Sequence, residues 1–127
     1  MKKIITCFLA MLGLTSACGQ KTYEDVDVNG FAELIADSNV VVLDVRTAEE
    51  FADGHIAKAI NIDVKQSEFV DKAKAMLPTG KSIAVYCRSG RRSANACEKL
   101  SAEGYKAVNL KGGIIAWTDA GMPVTKD

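Results

Sequence analysis

The sequence predicts an α/β domain in which helices cover both faces of a parallel sheet. Two runs of apolar, largely β-branched residues, 40–45 and 82–86, have the composition of strands that are buried on both faces. A third strand is predicted at 106–110. Segments with helical patterns separate these strands, and this alternation is typical of a parallel sheet with crossover helices.

The helices are predicted from a start signal and from apolar spacing. Thr47 and Glu50 form a capping box, so a helix should begin directly after the first predicted strand. Four further segments have helical patterns, at 31–36, 68–76, 93–103 and 113–120. Because ligands bind beyond the carboxyl ends of strands in such sheets, the residues after strand 82–86 are the first candidates for function.

Length and composition agree with one globular domain. The chain has 127 residues, enough for a short targeting segment and a single core. Hydrophobic residues make up 48% and charged residues 25%, so the chain can bury enough apolar area to fold. The 16 basic and 16 acidic residues balance, and nucleic acid is therefore not an expected partner.

Residues 1–17 have the pattern of a signal peptide. A basic start is followed by the apolar run 4–14 and by small residues. This run is shorter than the roughly 20 residues that a membrane-spanning helix needs, so an uncleaved anchor is the weaker alternative.

Cys18 follows those small residues, and the stretch 14–18 resembles a bacterial lipoprotein signal. The aliphatic Leu14 stands four positions before the cysteine, whereas such signals usually place it three before. Ordinary secretion, with an incidental thiol at Cys18, is the alternative. We expect lipidation of Cys18, a short tether at 18–21, and a domain at 22–127 held on the periplasmic or outer-membrane side of a bacterial membrane.

Cys87 lies directly after strand 82–86, in a loop that favours an anion. Gly90 allows the backbone to curl, so that successive N–H groups can converge on one point. Ser93 is predicted as the N-cap of the next helix, which would direct the positive end of the helix dipole toward the loop.

Three arginines, Arg88, Arg91 and Arg92, lie within five residues of the sulfur. Together with the loop and the helix, they favour the thiolate over the thiol, so the nucleophile needs no neighbouring base. His55, the single His of the chain, is interpreted as a hydrogen-bonded structural residue. No second His or paired Cys indicates a metal site, and no cofactor is expected.

The loop 87–93, Cys-Arg-Ser-Gly-Arg-Arg-Ser, resembles the active-site loop of single-domain members of the rhodanese family. Flanking motifs also match, at 43–46 with 50–51 and 54–56, and at 112–117 with 121–124. The similarity extends from about Thr22 to Val124. It implies a rhodanese-like fold with a central parallel sheet of about five strands.

The resemblance also implies a sulfurtransferase reaction. Cys87 would take a sulfane sulfur from a small anionic donor such as thiosulfate, hold it as a persulfide, and pass it to cyanide or a thiol. A thiol reductant is a further partner to consider. The loop that would bind substrate and persulfide consists of Arg88, Ser89, Gly90, Arg91, Arg92 and Ser93.

Two alternatives differ from this interpretation. A phosphatase or arsenate reductase has a related loop, but with five residues between Cys and Arg, whereas four separate Cys87 from Arg92. The smaller ring suits sulfur better than phosphate. A non-catalytic rhodanese-like binding module typically lacks the nucleophile, which this chain retains.

Several other conspicuous residues are interpreted as structural. Cys97 should pack in the core and form no disulfide with Cys87, because it lies on the third turn of the following helix. The charged residues Asp44, Arg46 and Glu50 should form an ion-pair and capping set.

Near the C-terminus, Trp117 should pack in the core and Gly112 and Gly113 should bring backbone close to the active-site region. The sequence departs from the rhodanese pattern at Ala57 and Lys58, which replace the usual Pro and Gly and put the local turn in doubt.

Overall fold

A computed structural model of the protein describes residues 22–127, which form five strands and five helices. In chain order these are β1 (Glu24–Val26), α1 (Val28–Ile35), β2 (Val40–Asp44), α2 (Ala48–Asp53), β3 (Ile60–Asn61), α3 (Phe69–Met76), β4 (Ser82–Tyr86), α4 (Arg91–Ala102), β5 (Lys106–Leu110) and α5 (Gly113–Asp119). The strands form one parallel sheet in the order β1-β5-β4-β2-β3. This confirms the predicted α/β class.

Strand β4 divides two hydrophobic cores, one on each face of the sheet. Ile83 and Val85 point into a core that includes residues of α3 and α4. Ala84 and Tyr86 point into a second core with residues of α1 and α5. The alternation follows from the period of two along a strand, and it confirms that helices cover both faces.

The two edge strands, β1 and β3, were not assigned from the sequence. They contain three and two residues, too few for a recognisable pattern. Helix α1 begins at Val28, earlier than predicted, because Asp27 caps it by accepting a 2.8 Å hydrogen bond from the N–H of Gly30.

The prediction that Ser93 caps α4 is wrong. The helix begins at Arg91, and its N-cap is Gly90, which has a φ of 104° and provides no side-chain cap. This left-handed conformation lets the chain turn directly from the loop into the helix, so Ser93 falls within the first turn.

The turn at Lys58 is formed although glycine is absent from it. Lys58 has a φ of 69°, and the N–H of Ala59 donates a 3.1 Å hydrogen bond to the carbonyl of Ile56. A side chain in the left-handed region costs about 1–2 kcal/mol. Lysine in place of the usual glycine therefore lowers stability at this position, but the turn still forms.

His55 has the structural role expected from the sequence. Its ring stacks on Phe51 with 3.7 Å between the centroids, and its Nδ1 lies 2.9 Å from the carbonyl oxygen of Phe51. Its backbone exchanges two 2.8 Å hydrogen bonds with Thr125. These contacts attach the end of the chain to the loop after α2.

The predicted signal peptide at 1–17, the lipidation site Cys18 and the tether at 18–21 lie outside the described residues. Within 22–127, no helix has both the length and the apolar character needed to cross a membrane.

Candidate active site

Cys87 directly follows strand β4 at the carboxyl edge of the sheet, as predicted, and its side chain is buried with 1% of its surface exposed. The sulfur accepts hydrogen bonds from the backbone N–H of Gly90 at 3.0 Å and from the hydroxyl of Ser93 at 3.3 Å. Hydrogen-bond donors of this kind stabilise negative charge on a sulfur atom where it is present.

Helix α4 adds its dipole to this arrangement. The helix has 12 residues, and no side chain caps its N-terminus, which follows Gly90 directly. Its first N–H groups and its positive dipole end therefore face the Cys87 loop. Ser93 contributes through its side chain rather than as a cap, a role that sequence reasoning did not foresee.

Arg92 forms a bidentate ion pair with Glu50. Its two terminal nitrogens lie 2.9 and 3.0 Å from the two carboxylate oxygens of Glu50. Glu50 also accepts hydrogen bonds from Thr47, so the predicted capping box is confirmed. The bidentate pair joins the first turn of α4 to α2.

The remaining polar loop residues lie at the mouth of the site. Arg88, Ser89 and Arg91 are exposed. Within residues 22–127, neither Arg88 nor Arg91 has a salt-bridge partner. These two side chains are therefore the loop cations available to an anionic substrate.

The bond with Arg92 is the largest cause of a lowered pKa at Glu50, which falls from its ordinary 4.5 to about 2 against the opposing effect of burial. A depressed carboxylate pKa stabilises the folded state above about pH 4.5, and this contribution is lost as the pH falls toward about 2. The side chains of Arg92 and Glu50 are 25% and 29% exposed. Because solvent screens the pair, its contribution to the free energy of unfolding is limited to about 1–2 kcal/mol.

We therefore expect Glu50→Gln to lower the free energy of unfolding by this amount at neutral pH. The difference from the wild type should shrink between about pH 4.5 and about 2. Urea unfolding at a series of pH values measures it. Glu49→Gln, at the exposed neighbouring carboxylate, is the matched control and should change stability little. A difference for Glu50→Gln that stays constant over this pH range would contradict the expectation.

The N-terminus of α5 forms a second wall of the site, as the two glycines predicted. The N–H of Ile114 donates to the carbonyl of Cys87 at 2.9 Å, and that of Ile115 donates to the carbonyl of Arg88 at 3.2 Å. A Cβ on Gly113 would lie only 2.3 Å from the Arg88 carbonyl oxygen. The absence of a side chain therefore permits this contact.

Behind the loop, Asp44 and Arg46 form the predicted structural ion pair. Both are buried, and Arg46 binds the carboxylate through Nε at 3.0 Å and through Nη2 at 2.7 Å. The same Nη2 donates to the carbonyl of Gly54 at 2.7 Å. This pair fixes the turn from β2 into α2, which carries Glu50.

Cys97 packs in the same core as Cys87, and both are free thiols. Burial raises the pKa of the Cys97 thiol to about 12, so this residue stays protonated and is a weak nucleophile at neutral pH. Among residues 22–127, no group of three or more His, Cys, Asp or Glu side chains is arranged to hold a metal ion.

Asn109 is a buried polar residue beneath the loop that sequence reasoning missed. Its Nδ2 lies 2.9 Å from a carboxylate oxygen of Asp25 and 3.5 Å from the carbonyl oxygen of Gly90. Its position within a short apolar strand was the available signal, since an amide there needs buried partners.

Comparison with known proteins gives a consistent result. The family described as "Rhodanese-like domain" matches residues 27–120. A protein named "Sulfurtransferase" from Allochromatium vinosum is 34% identical over 102 residues, which covers 79% of this chain and 92% of that protein. "Thiosulfate sulfurtransferase 18" from Arabidopsis thaliana is 36% identical over 126 residues, covering 90% of this chain and 92% of that protein.

A solved structure has the same fold. The crystal structure of a rhodanese-related protein from Thermoplasma volcanium superimposes with a TM-score of 0.73 at 37% sequence identity. The match covers 83% of this chain and 100% of the other.

Proposed function

This chain belongs to the rhodanese-like domain family, and from that premise we propose that it transfers a sulfane sulfur through a persulfide on Cys87. The observation that carries the proposal is the hydrogen bonding of the Cys87 sulfur to Gly90 and Ser93 at the N-terminus of α4. The names of the two relatives support sulfur transfer as the reaction class.

The first half-reaction loads the cysteine. The Cys87 thiolate attacks the sulfane sulfur of a donor such as thiosulfate and forms a new S–S bond. The bond between the sulfane sulfur and the sulfonate sulfur breaks, and its electron pair leaves with sulfite. Arg88 and Arg91, exposed and without ion-pair partners among residues 22–127, attract the anionic donor to the mouth of the loop.

The second half-reaction unloads it. A nucleophilic acceptor, cyanide or a thiolate, attacks the outer sulfur of the persulfide, and the Cys87 thiolate departs. The loop donors hold negative charge in both the loaded and the unloaded state, so neither step requires a proton transfer by a His side chain.

The phosphatase or arsenate reductase alternative remains disfavoured by loop length. Four residues separate Cys87 from Arg92, and the loop already places the Gly90 N–H 3.0 Å from the sulfur. Such a tight curl leaves less room for a tetrahedral oxyanion than a loop that is longer by one residue.

Mass spectrometry after incubation with thiosulfate tests the proposal directly. We expect the protein to gain the mass of one sulfur atom, which peptide mapping assigns to Cys87. Cyanide should remove the added sulfur and yield thiocyanate. A sample alkylated beforehand is the control and should gain nothing. If wild-type protein gains no sulfur from thiosulfate or from other sulfane donors, a non-catalytic binding module becomes the better interpretation.

We further infer that the reaction takes place outside the cytoplasmic membrane. The basis is the signal-peptide pattern of residues 1–17 and the lipoprotein-like position of Cys18. A lipid on Cys18 would hold the domain on the periplasmic or outer-membrane side.

A further inference from the structure

Asn109 has a buried polar atom without a partner. The residue lies on β5 with 4% of its surface exposed, and its Oδ1 accepts no hydrogen bond among the described residues. An unsatisfied buried acceptor costs about 1–3 kcal/mol, and an apolar side chain at this position would avoid that cost. A polar side chain at a position that carries such a penalty points to a role beyond packing.

The orientation of the amide explains the unpaired oxygen. Nδ2 faces two acceptors, the carboxylate of Asp25 at 2.9 Å and the carbonyl of Gly90 at 3.5 Å. Turning the amide over would place Oδ1 against both acceptors, so the donor side is held toward them. The oxygen is thereby left without a partner.

Gly90 is the residue whose conformation this contact affects. It has a φ of 104°, and its N–H donates to the Cys87 sulfur. Its carbonyl accepts the 3.2 Å hydrogen bond from the N–H of Ala94 that opens α4. The Gly90 N–H and carbonyl belong to neighbouring peptide units joined at the glycine Cα, and glycine leaves φ and ψ unusually free. A contact on the carbonyl therefore restricts these two angles and, through them, the direction of the N–H.

We propose that Asn109 is a positioning residue for the proposed sulfur transfer, acting on the Gly90 carbonyl so that the Gly90 N–H stays aligned with the Cys87 sulfur. The inference rests on the proposed function for its biological meaning, although alignment of the sulfur can be measured without any sulfur donor.

The competing explanation is a tie between two strands. Asp25 and Asn109 are register partners on β1 and β5, so their hydrogen bond could serve stability alone. Three variants of the full-length protein separate these roles. Asn109→Leu removes both contacts, and Asp25→Ala removes the strand tie but leaves the amide beside Gly90. The double variant Asp25→Asn with Asn109→Asp restores a tie between the strands without a donor for Gly90.

The measurements are the iodoacetamide alkylation rate of Cys87 as a function of pH, persulfide formation from thiosulfate, and the melting temperature. We expect Asn109→Leu to slow alkylation and persulfide formation at least about tenfold, with the midpoint of the alkylation profile at higher pH. Asp25→Ala should lower the melting temperature while both rates stay within about twofold of wild type. The double variant should be more stable than Asn109→Leu but remain slow.

A double variant that regains wild-type rates, or an Asp25→Ala variant as slow as Asn109→Leu, would overturn the inference in favour of a strand tie. Because the double variant keeps a bond between the strands, it provides the test if Asn109→Leu does not fold. If wild-type protein forms no persulfide, the proposed function fails, whereas the alkylation comparison still decides the role of Asn109.

Discussion

Cys87→Ser is expected to reduce sulfur transfer by at least about four orders of magnitude. Serine is close to cysteine in size, but its hydroxyl stays protonated at neutral pH without a base. The single His of the chain, His55, has its Nδ1 at the carbonyl of Phe51 and stacks on that ring, so it is committed to structure. Thiocyanate formation from thiosulfate and cyanide measures the rate.

The matched control is Cys97→Ala, at the other free thiol of residues 22–127. Because Cys97 is buried in the core with a raised pKa, its loss should lower the melting temperature and leave the rate within about twofold of wild type. Substantial activity in Cys87→Ser would show that Cys87 is not the sulfur carrier. An equal loss in Cys97→Ala would show that the loss of activity is not specific to Cys87.

Gly113→Ala is expected to abolish most of the activity by forcing the loop and α5 apart. The new Cβ would lie 2.3 Å from the carbonyl oxygen of Arg88 and 2.6 Å from that of Cys87. Both are backbone atoms that cannot rotate away, so the loop or α5 must shift, and we expect the shift to weaken the hydrogen bonds between them. Gly113 also has a φ of 60°, which an alanine adopts only with strain. We expect the clash and this strain together to lower the free energy of unfolding by about 2–4 kcal/mol.

Gly104→Ala is the control that introduces backbone strain at a left-handed glycine without a steric clash. Gly104 has a φ of 91°, but a Cβ there meets no atom within 4 Å. This variant should lose about 1 kcal/mol and retain sulfur transfer. Urea unfolding and the thiocyanate assay together distinguish the two variants. Equal activities in Gly113→Ala and Gly104→Ala would mean that contact between α5 and the loop does not matter for the reaction.

The sheet and the position of Cys87 at its carboxyl edge were predictable because their signals are local. The runs that became β2 and β4 are long enough to show buried strands, and Cys87 is followed at once by the loop and helix that define its environment. The short strands β1 and β3 carry no such pattern. They take their place from pairing with longer neighbours.

The roles of individual loop residues were less predictable, because partners far away in the chain decide them. Arg92 was assigned to substrate binding, but Glu50, 42 residues earlier, engages both of its terminal nitrogens. Asn109 reaches Gly90 across 19 residues and Asp25 across 84. Ser93 was predicted to be the N-cap of α4. The N-cap position is occupied by the left-handed Gly90 instead, and the Ser93 hydroxyl donates a hydrogen bond to the Cys87 sulfur.

The two hydrogen bonds from α5 to the loop also determine the polarity of the loop itself. In a trans peptide unit, the carbonyl and the N–H of the next residue point in opposite directions. Because Ile114 and Ile115 hold the carbonyls of Cys87 and Arg88, the N–H groups of Arg88 and Ser89 must face away from α5. Helix α5 thus holds the two carbonyl oxygens on its own side of the loop and leaves the two N–H groups on the opposite side, already oriented before a substrate binds.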